Sequence, residues 1–185
     1  MMKKTIRMMT ALCLLLALVM TAAAASANVM TFPESNSLNF QYKGFLGGQT
    51  FKVYSGPGRH YWRGANGWAK VSSDEAIYCA GQEGNWLLVT YSTSSGTRVG
   101  YVTREDISEN TSAKALHFDY TSRQITKQCI FTDDPSSLNN PIGYINAGAT
   151  VTYLADYYNG LNWAYVESVI DGTPIRGFVP ADSIR

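Results

Sequence analysis

Few residues of this chain have the type and spacing that covalent chemistry needs. A thiol enzyme would have to bring Cys79 to His60 or His117. Enzymes of that kind set the cysteine at a helix start, whereas Cys79 falls in a stretch that reads as a strand, where a lone cysteine is usually a small buried hydrophobe. Asp133-Asp134 offers two acids, but adjacent acids ahead of Pro135 are better explained as turn formers. The cysteines and histidines show no C-x-x-C or H-x-x-x-H spacing, so no metal site and no cofactor are expected. What the sequence does concentrate is contact chemistry. Arg59-His60-Tyr61-Trp62-Arg63 is a dense set of amphipathic side chains with glycines on both sides, the composition that binding surfaces on loops use. Tyr54, Arg59, Tyr61, Trp62, Arg63 and Trp68 are the candidate ligand-binding residues. The competing reading makes Trp62 and Trp68 a lid on the fold or a contact between its parts.

The segment ahead of these residues sets the compartment. Lys3, Lys4 and Arg7 precede an apolar run from Met8 to Met20, followed by the small residues Thr21 to Ala27. That order reads as a secretory signal cut after Ala27, since an apolar core of about 13 residues falls short of the roughly 20 that span a bilayer. Cys13 lies inside the apolar run and does not look like a lipid attachment site. The first 27 residues hold three of the 15 basic and none of the 14 acidic residues, leaving a remainder of net charge −2. No general attraction to nucleic acid follows from that balance, and no membrane association is expected after signal cleavage. A secreted or cell-envelope location is disulfide-permissive, and Cys79 and Cys129 are the two cysteines left. A bridge between them would close a loop of about 50 residues and add roughly 4 kcal/mol. The alternative is two buried thiols, and both remain open.

Self-similarity organises the rest. Leu38-Asn39-Phe40-Gln41-Tyr42 recurs as Leu116-His117-Phe118-Asp119-Tyr120 at a shift of 78, and a shift of 77 superposes Tyr54 on Phe131, Trp86 on Trp163, Val89 on Val166, Gly100-Tyr101-Val102 on Gly177-Phe178-Val179 and Ile107 on Ile184. The organisation expected is a leader over 28–36, a first domain over 37–108, a linker over 109–113 and a second domain over 114–185. Domains of about 70 residues bury only some 60% of their unfolded surface, so a packed pair is expected. The fold class is all-β. Trp86 to Tyr91 and Val99 to Val102 flank the hairpin signal Ser94-Ser95-Gly96, and Trp163 to Val166 and Ile175 to Val179 flank Asp171-Gly172, while no window of helical length shows a 3.6-residue apolar period. Trp86, Trp163, Val89, Val166, Tyr101 and Phe178 occur in both copies and are read as packing. Gly100 and Gly177 are read as allowing a bulge or a close strand approach.

Several motifs carry a resemblance. Tyr54-Ser55-Gly56-Pro57-Gly58, Tyr61 to Gly67, Gly84-Asn85-Trp86-Leu87-Leu88-Val89 and Gly100-Tyr101-Val102 resemble the bacterial SH3 domain as it repeats in secreted Gram-positive proteins. The second copy looks like a divergent partner through Thr132-Asp133-Asp134-Pro135, Trp163-Ala164-Tyr165-Val166 and Arg176-Gly177-Phe178-Val179-Pro180. The resemblance implies two tandem SH3-like small β-barrels, extracellular or cell-envelope placement and binding of wall peptide or glycan; with so few candidate catalytic residues, no enzymatic activity is expected. A module acting on another secreted protein, as a partner or inhibitor, is the alternative. The second copy lacks the Gly-Pro-Gly and the aromatic cluster, so a ligand preference does not carry from one copy to the other; binding is expected through the aromatic loop of the first. In the 77 register Tyr61, Trp62 and Trp68 face Leu138, Asn139 and Ile145. The copies also differ in charge: 36–108 carries seven basic and five acidic residues, and 113–185 five and seven, an opposition that favours docking of one on the other.

Overall fold

The computed structural model describes residues 37–42, 49–72, 77–104 and 113–185, all within the compact unit Phe32–Arg185. The expected signal peptide, the leader, Ile107 and linker positions 109–112 lie outside the described residues.

The first half contributes β1 (Gln41–Tyr42), β2 (Thr50–Lys52), β3 (Lys70–Ser72), β4 (Tyr78–Glu83), β5 (Trp86–Thr93) and β6 (Gly96–Thr103). The second contributes β7 (Thr121–Gln124), β8 (Cys129–Phe131), β9 (Gly143–Ile145), β10 (Thr150–Tyr158), β11 (Asn162–Ile170) and β12 (Thr173–Pro180), and ends in a 3-10 turn, Ala181–Ser183. The all-β expectation holds. Each half pairs its strands in the same way, as a four-stranded antiparallel sheet ordered β1-β4-β5-β6 or β7-β10-β11-β12, with a two-stranded ribbon β2-β3 or β8-β9. Ribbon and sheet meet at single bridges, Tyr54 to Tyr101 and Thr132 to Phe178, and these ladders do not close into the barrels expected.

Those bridges correct one register. Tyr54 sits where Thr132 sits, and not Phe131, because the shift here is 78; beyond it the shift falls, since Phe51 pairs with Val71 while Cys129 pairs with Ile145. The second segment between ribbon strands is therefore four residues shorter, and Trp68 stands against Ile142 and not Ile145. The shift of 77 does hold along the hairpins, where Val89 pairs with Gly100 and Val166 with Gly177. Both glycines allow the close approach expected of them. A Cβ on Gly177 would lie 2.7 Å from the Thr132 carbonyl oxygen, and one on Gly100 2.4 Å from Val53 Cγ1.

The central strands are apolar on both faces, and the reason is a third core. Leu87, Val89 and Tyr91 point into the first half's own core with Phe51 and Val71, and Ala164, Val166 and Val179 into the second half's with Phe131 and Ile145. The opposite faces, Leu88, Val99 and Tyr101 from one sheet and Trp163, Tyr165 and Phe178 from the other, pack together in a shared aromatic core. Strands buried on both sides lose the polar alternation of a half-exposed strand. Each sheet also carries a bulge, between Cys79 and Gly81 and between Tyr153 and Ala155, which turns Ala80 and Leu154 toward the shared core; re-aiming a side chain is what a bulge does.

The recurring L-x-F-x-Y segments are the clasp between the halves. The Leu38 amide donates to the Asp156 carbonyl of β10 at 2.9 Å, and the Leu116 amide to the Gln82 carbonyl of β4 at 2.7 Å. Each half thus lends its leading segment to the other half's bulged strand, and Leu38, Phe40, Leu116 and Phe118 all join the shared core. The two halves thus pack on each other through this shared core.

Candidate ligand groove

The segment between β2 and β3 is built from backbone bonds outward. Tyr54 exchanges bonds with Tyr101 (2.9 and 2.6 Å), and the Ser55 amide donates to the Trp62 carbonyl at 2.8 Å, which closes the Gly-Pro-Gly loop and leaves Arg59 and His60 exposed at its turn. After Trp62 the chain makes one tight left-handed turn, with Ala65 at φ 52°, Asn66 at 54° and Gly67 at 86°. Two non-glycine residues in that region carry roughly 1–2 kcal/mol of steric cost each, and strain of this sort persists where surrounding structure enforces it. Arg63 enforces it: its Nη2 donates to the Ala69 carbonyl at 2.6 Å and its Nε to the Val53 carbonyl at 3.3 Å, with the guanidinium over the Tyr54 ring.

The turn separates two tryptophans that border one groove of 580 Å³, lined also by Lys70, Tyr91, Arg98 and Asp133. Trp68 is 79% exposed. Trp62 is half-buried, packs on the second half's core, and donates its amide to the Pro174 carbonyl at 3.1 Å. Across the groove Arg98 and Asp133 pair at 2.5 Å, and burial pushes the Asp133 carboxyl above its ordinary pKa despite that partner. The groove therefore has walls from both halves.

The six expected ligand residues divide. Trp62 and Trp68 line the groove. Tyr61 leaves it: its hydroxyl donates to Glu167 Oε2 at 2.7 Å, and burial together with that bond pushes the phenol up to about 12. Arg63 holds the turn, Tyr54 packs edge-on against Trp86 at 5.5 Å, and Arg59 stays in solvent. Of the two tryptophans that the competing reading makes a lid or a contact between copies, Trp62 touches the other half and Trp68 is exposed; Tyr61, outside that reading, also reaches across. Lys70, Arg98 and Asp133 were absent from the sequence-based set. Lys70 lay two positions past Trp68, but Asp133 comes from the other half and no local pattern joins it to Arg98. Of the supposed turn pair, only Asp134 behaves as one, accepting the Ser136 amide at 3.1 Å.

Tyr61 leads to the centre of the junction. Glu167 Oε2 also accepts Arg176 Nε at 2.7 Å, and Arg176 Nη1 reaches Glu83 Oε2 at 2.7 Å and the Tyr101 hydroxyl at 3.0 Å. The Tyr120 hydroxyl bonds the same Glu83. Arg176 is 4% exposed, and the rings of Tyr61, Tyr101, Phe118 and Tyr120 surround its guanidinium. Burial opposes its charge, yet the Tyr101 and Tyr165 phenols and the two carboxylates outweigh burial and hold its pKa above the ordinary value.

Cys79 and Cys129 are free thiols, buried in the separate cores of the two halves, so the open alternative resolves to two thiols and not a bridge. Burial pushes the Cys129 thiol up, away from the thiolate that a nucleophile requires. His60 lies on the Tyr61 ring at 4.6 Å. Among the described residues no three His, Cys, Asp or Glu gather as metal ligands, and no helix is long and apolar enough to cross a membrane. Compared with protein-family models, curated proteins and solved structures, the chain matches none.

Proposed function

We propose that this chain is a secreted, non-catalytic binding protein of the cell envelope, built of two SH3-like modules, which takes wall peptide or glycan in the groove bordered by Trp62 and Trp68. The observation that carries this reading is Trp68, an indole 79% exposed at the end of a strained left-handed turn and on the rim of the groove. None of the three cores uses that ring, and local strain clusters at ligand sites. Trp163, 1% exposed, presents no comparable platform. In support of the SH3-like modules stand the ribbon joined to a sheet at one bridge in each half, the tight hairpins and the closing 3-10 turn. In support of secretion stands the order of basic, apolar and small residues over 1–27.

Co-sedimentation with washed cell-wall sacculi tests the reading. The purified protein is expected in the pellet, and Trp68→Ala in the supernatant with its melting temperature unchanged. Failure of the unaltered protein to pellet, with a defined protein partner recovered from culture medium, replaces the wall ligand by a secreted protein. Release of soluble fragments from the sacculi overturns the non-catalytic assignment.

A further inference from the structure

We propose that the outer face of the β2–β3 ribbon is an anion site, and that the groove takes wall peptide by a free carboxylate held between Lys52 and Lys70 while the peptide body lies on Trp68. The inference rests on the binding function above and names the chemistry of the occupant.

Lys52 and Lys70 are direct cross-strand partners. Because the Val53 amide donates to the Ala69 carbonyl, the next pair along, Lys52 with Lys70, falls at the narrow, non-hydrogen-bonded position, where opposed Cα atoms stand only about 4.5 Å apart. Phe51 and Val71 take the inward face of this ribbon, so the alternation of strands sends both lysines outward, and both are exposed. Like charges directly opposed destabilise a ladder, and nothing in the packing requires them. A third cation stands on the adjoining rung, since Arg63 is anchored to the carbonyls of Val53 and Ala69 themselves. Those carbonyls are neutral and leave its charge uncompensated. Among the described residues none of these three cations forms an ion pair, the carboxylates at this junction being committed elsewhere, Asp133 to Arg98 and Glu83 and Glu167 to Arg176.

Lys70 also lines the groove with Trp68, and the hydroxyl-bearing Thr93, Ser94 and Ser95 face it from the β5–β6 hairpin. An occupant suited to this wall brings one anionic group, an apolar face for the indole and polar backbone groups for the hairpin. A peptide ending in a carboxylate has all three, and two ammonium groups at neighbouring positions match the two oxygens of one carboxylate.

The test uses the full-length protein and two synthetic probes, the stem peptide L-Ala-γ-D-Glu-L-Lys-D-Ala with its carboxylates free and the same peptide fully amidated, titrated by NMR at low and high salt. The free peptide is expected to bind at least tenfold more tightly than the amide. That advantage should vanish in K52Q/K70Q and at high salt, whereas W68A should weaken both probes. K52Q/K70Q should melt no lower than the unaltered protein, since it removes a repulsion. Equal binding of the two peptides, or an undiminished advantage in the double variant, overturns the carboxylate site while leaving wall binding intact. Binding of neither peptide also overturns it, and retention on sacculi that disappears when phosphate-bearing wall polymer is stripped off then assigns the anion to that polymer. Absence of retention on any sacculi defeats the binding function itself.

Discussion

The two segments between ribbon strands, Tyr54 to Trp68 in the first half and Thr132 to Ile142 in the second, begin from the equivalent bridge, to Tyr101 or to Phe178, and end very differently. The second folds on itself. Thr132 Oγ1 donates to the Asn140 carbonyl at 2.8 Å, Asp134 is fully buried and binds the amide and hydroxyl of Ser136, while Asp133 and Asn140 also reach the β5–β6 hairpin of the first half at Arg98 and Ser95. The first reaches outward: Tyr61 bonds to Glu167 and Trp62 to Pro174 on the other half, and Trp68 is left in solvent. One scheme of strand pairing therefore supports a segment with an internal set of side-chain polar bonds and another without one, and each reaches across to the other half to frame the groove. The first segment is four residues longer, and it carries the aromatic side chains that the second lacks.

The same comparison applies to the paired tryptophans and gives the largest expected effect. Trp163 is 1% exposed in the shared core, while Trp86, at the equivalent strand position, is half-buried at its rim against Tyr54. Trp163→Ala should cost about 3–5 kcal/mol in urea unfolding and Trp86→Ala about 1.5 kcal/mol. Equal costs would mean that the two positions are energetically equivalent and that burial here is misassigned.

Removing Arg176 should cost nearly as much. Arg176→Met leaves Glu83 and Glu167 facing each other without a counter-charge, and breaking a buried ion pair from one side typically costs about 3–5 kcal/mol. Both carboxylates keep some exposure, 22% and 27% of their side chains, which places the expectation near the lower figure. Because the arginine joins strands of both halves, the loss should appear as a single unfolding transition at lower denaturant. A second transition, with one half unfolding alone, would show that the shared core is not cooperative.

The hairpin glycines give a finer contrast. On Gly177 a Cβ meets a backbone carbonyl at 2.7 Å, and on Gly100 the nearest obstacle is a valine methyl with the Tyr54 carbonyl at 3.0 Å. A side chain yields more readily than backbone, so Gly177→Ala should cost about 2 kcal/mol and Gly100→Ala about 1 kcal/mol, read from thermal unfolding. The reverse order would locate the tighter ribbon contact in the first half.

Much of this was legible in the sequence, for a physical reason. Strands at the shared core are apolar on both faces, so Trp86, Val89, Tyr101 and their counterparts stood out as aligned large residues, and the hairpins followed from Ser94-Ser95-Gly96 and Asp171-Gly172. What stayed hidden depends on contacts without local pattern. The L-x-F-x-Y repeats give no local sign that their leucines bond across to the other half while Gln41–Tyr42 pair within their own. Arg176 reads as an ordinary polar position in a strand, since the two glutamates that hold it are 93 and nine residues away. The sequence singles out the aromatic loop, but no local pattern announces that Tyr61 in it bonds to Glu167 of the other half.

That last assignment can be tested by pH, since the second half has no phenol at the matching place. The folded Tyr61 phenol holds its proton up to about 12, whereas an unfolded tyrosine gives it up near 10. Between these values the unfolded chain binds fewer protons than the folded one, so stability must fall as pH rises. The Tyr61 contribution is fully present below pH 10 and disappears by about 12. Tyr61→Phe removes both the hydrogen bond and the titration. It should be less stable than the unaltered protein at pH 8, by the roughly 0.5–1.5 kcal/mol of one hydrogen bond, and the two urea midpoints should converge as the pH approaches 12. The other buried tyrosines titrate in both proteins and cancel in the difference. Midpoints that stay parallel from pH 8 to 12 would free the hydroxyl from Glu167 and return Tyr61 to the set of residues available to a ligand.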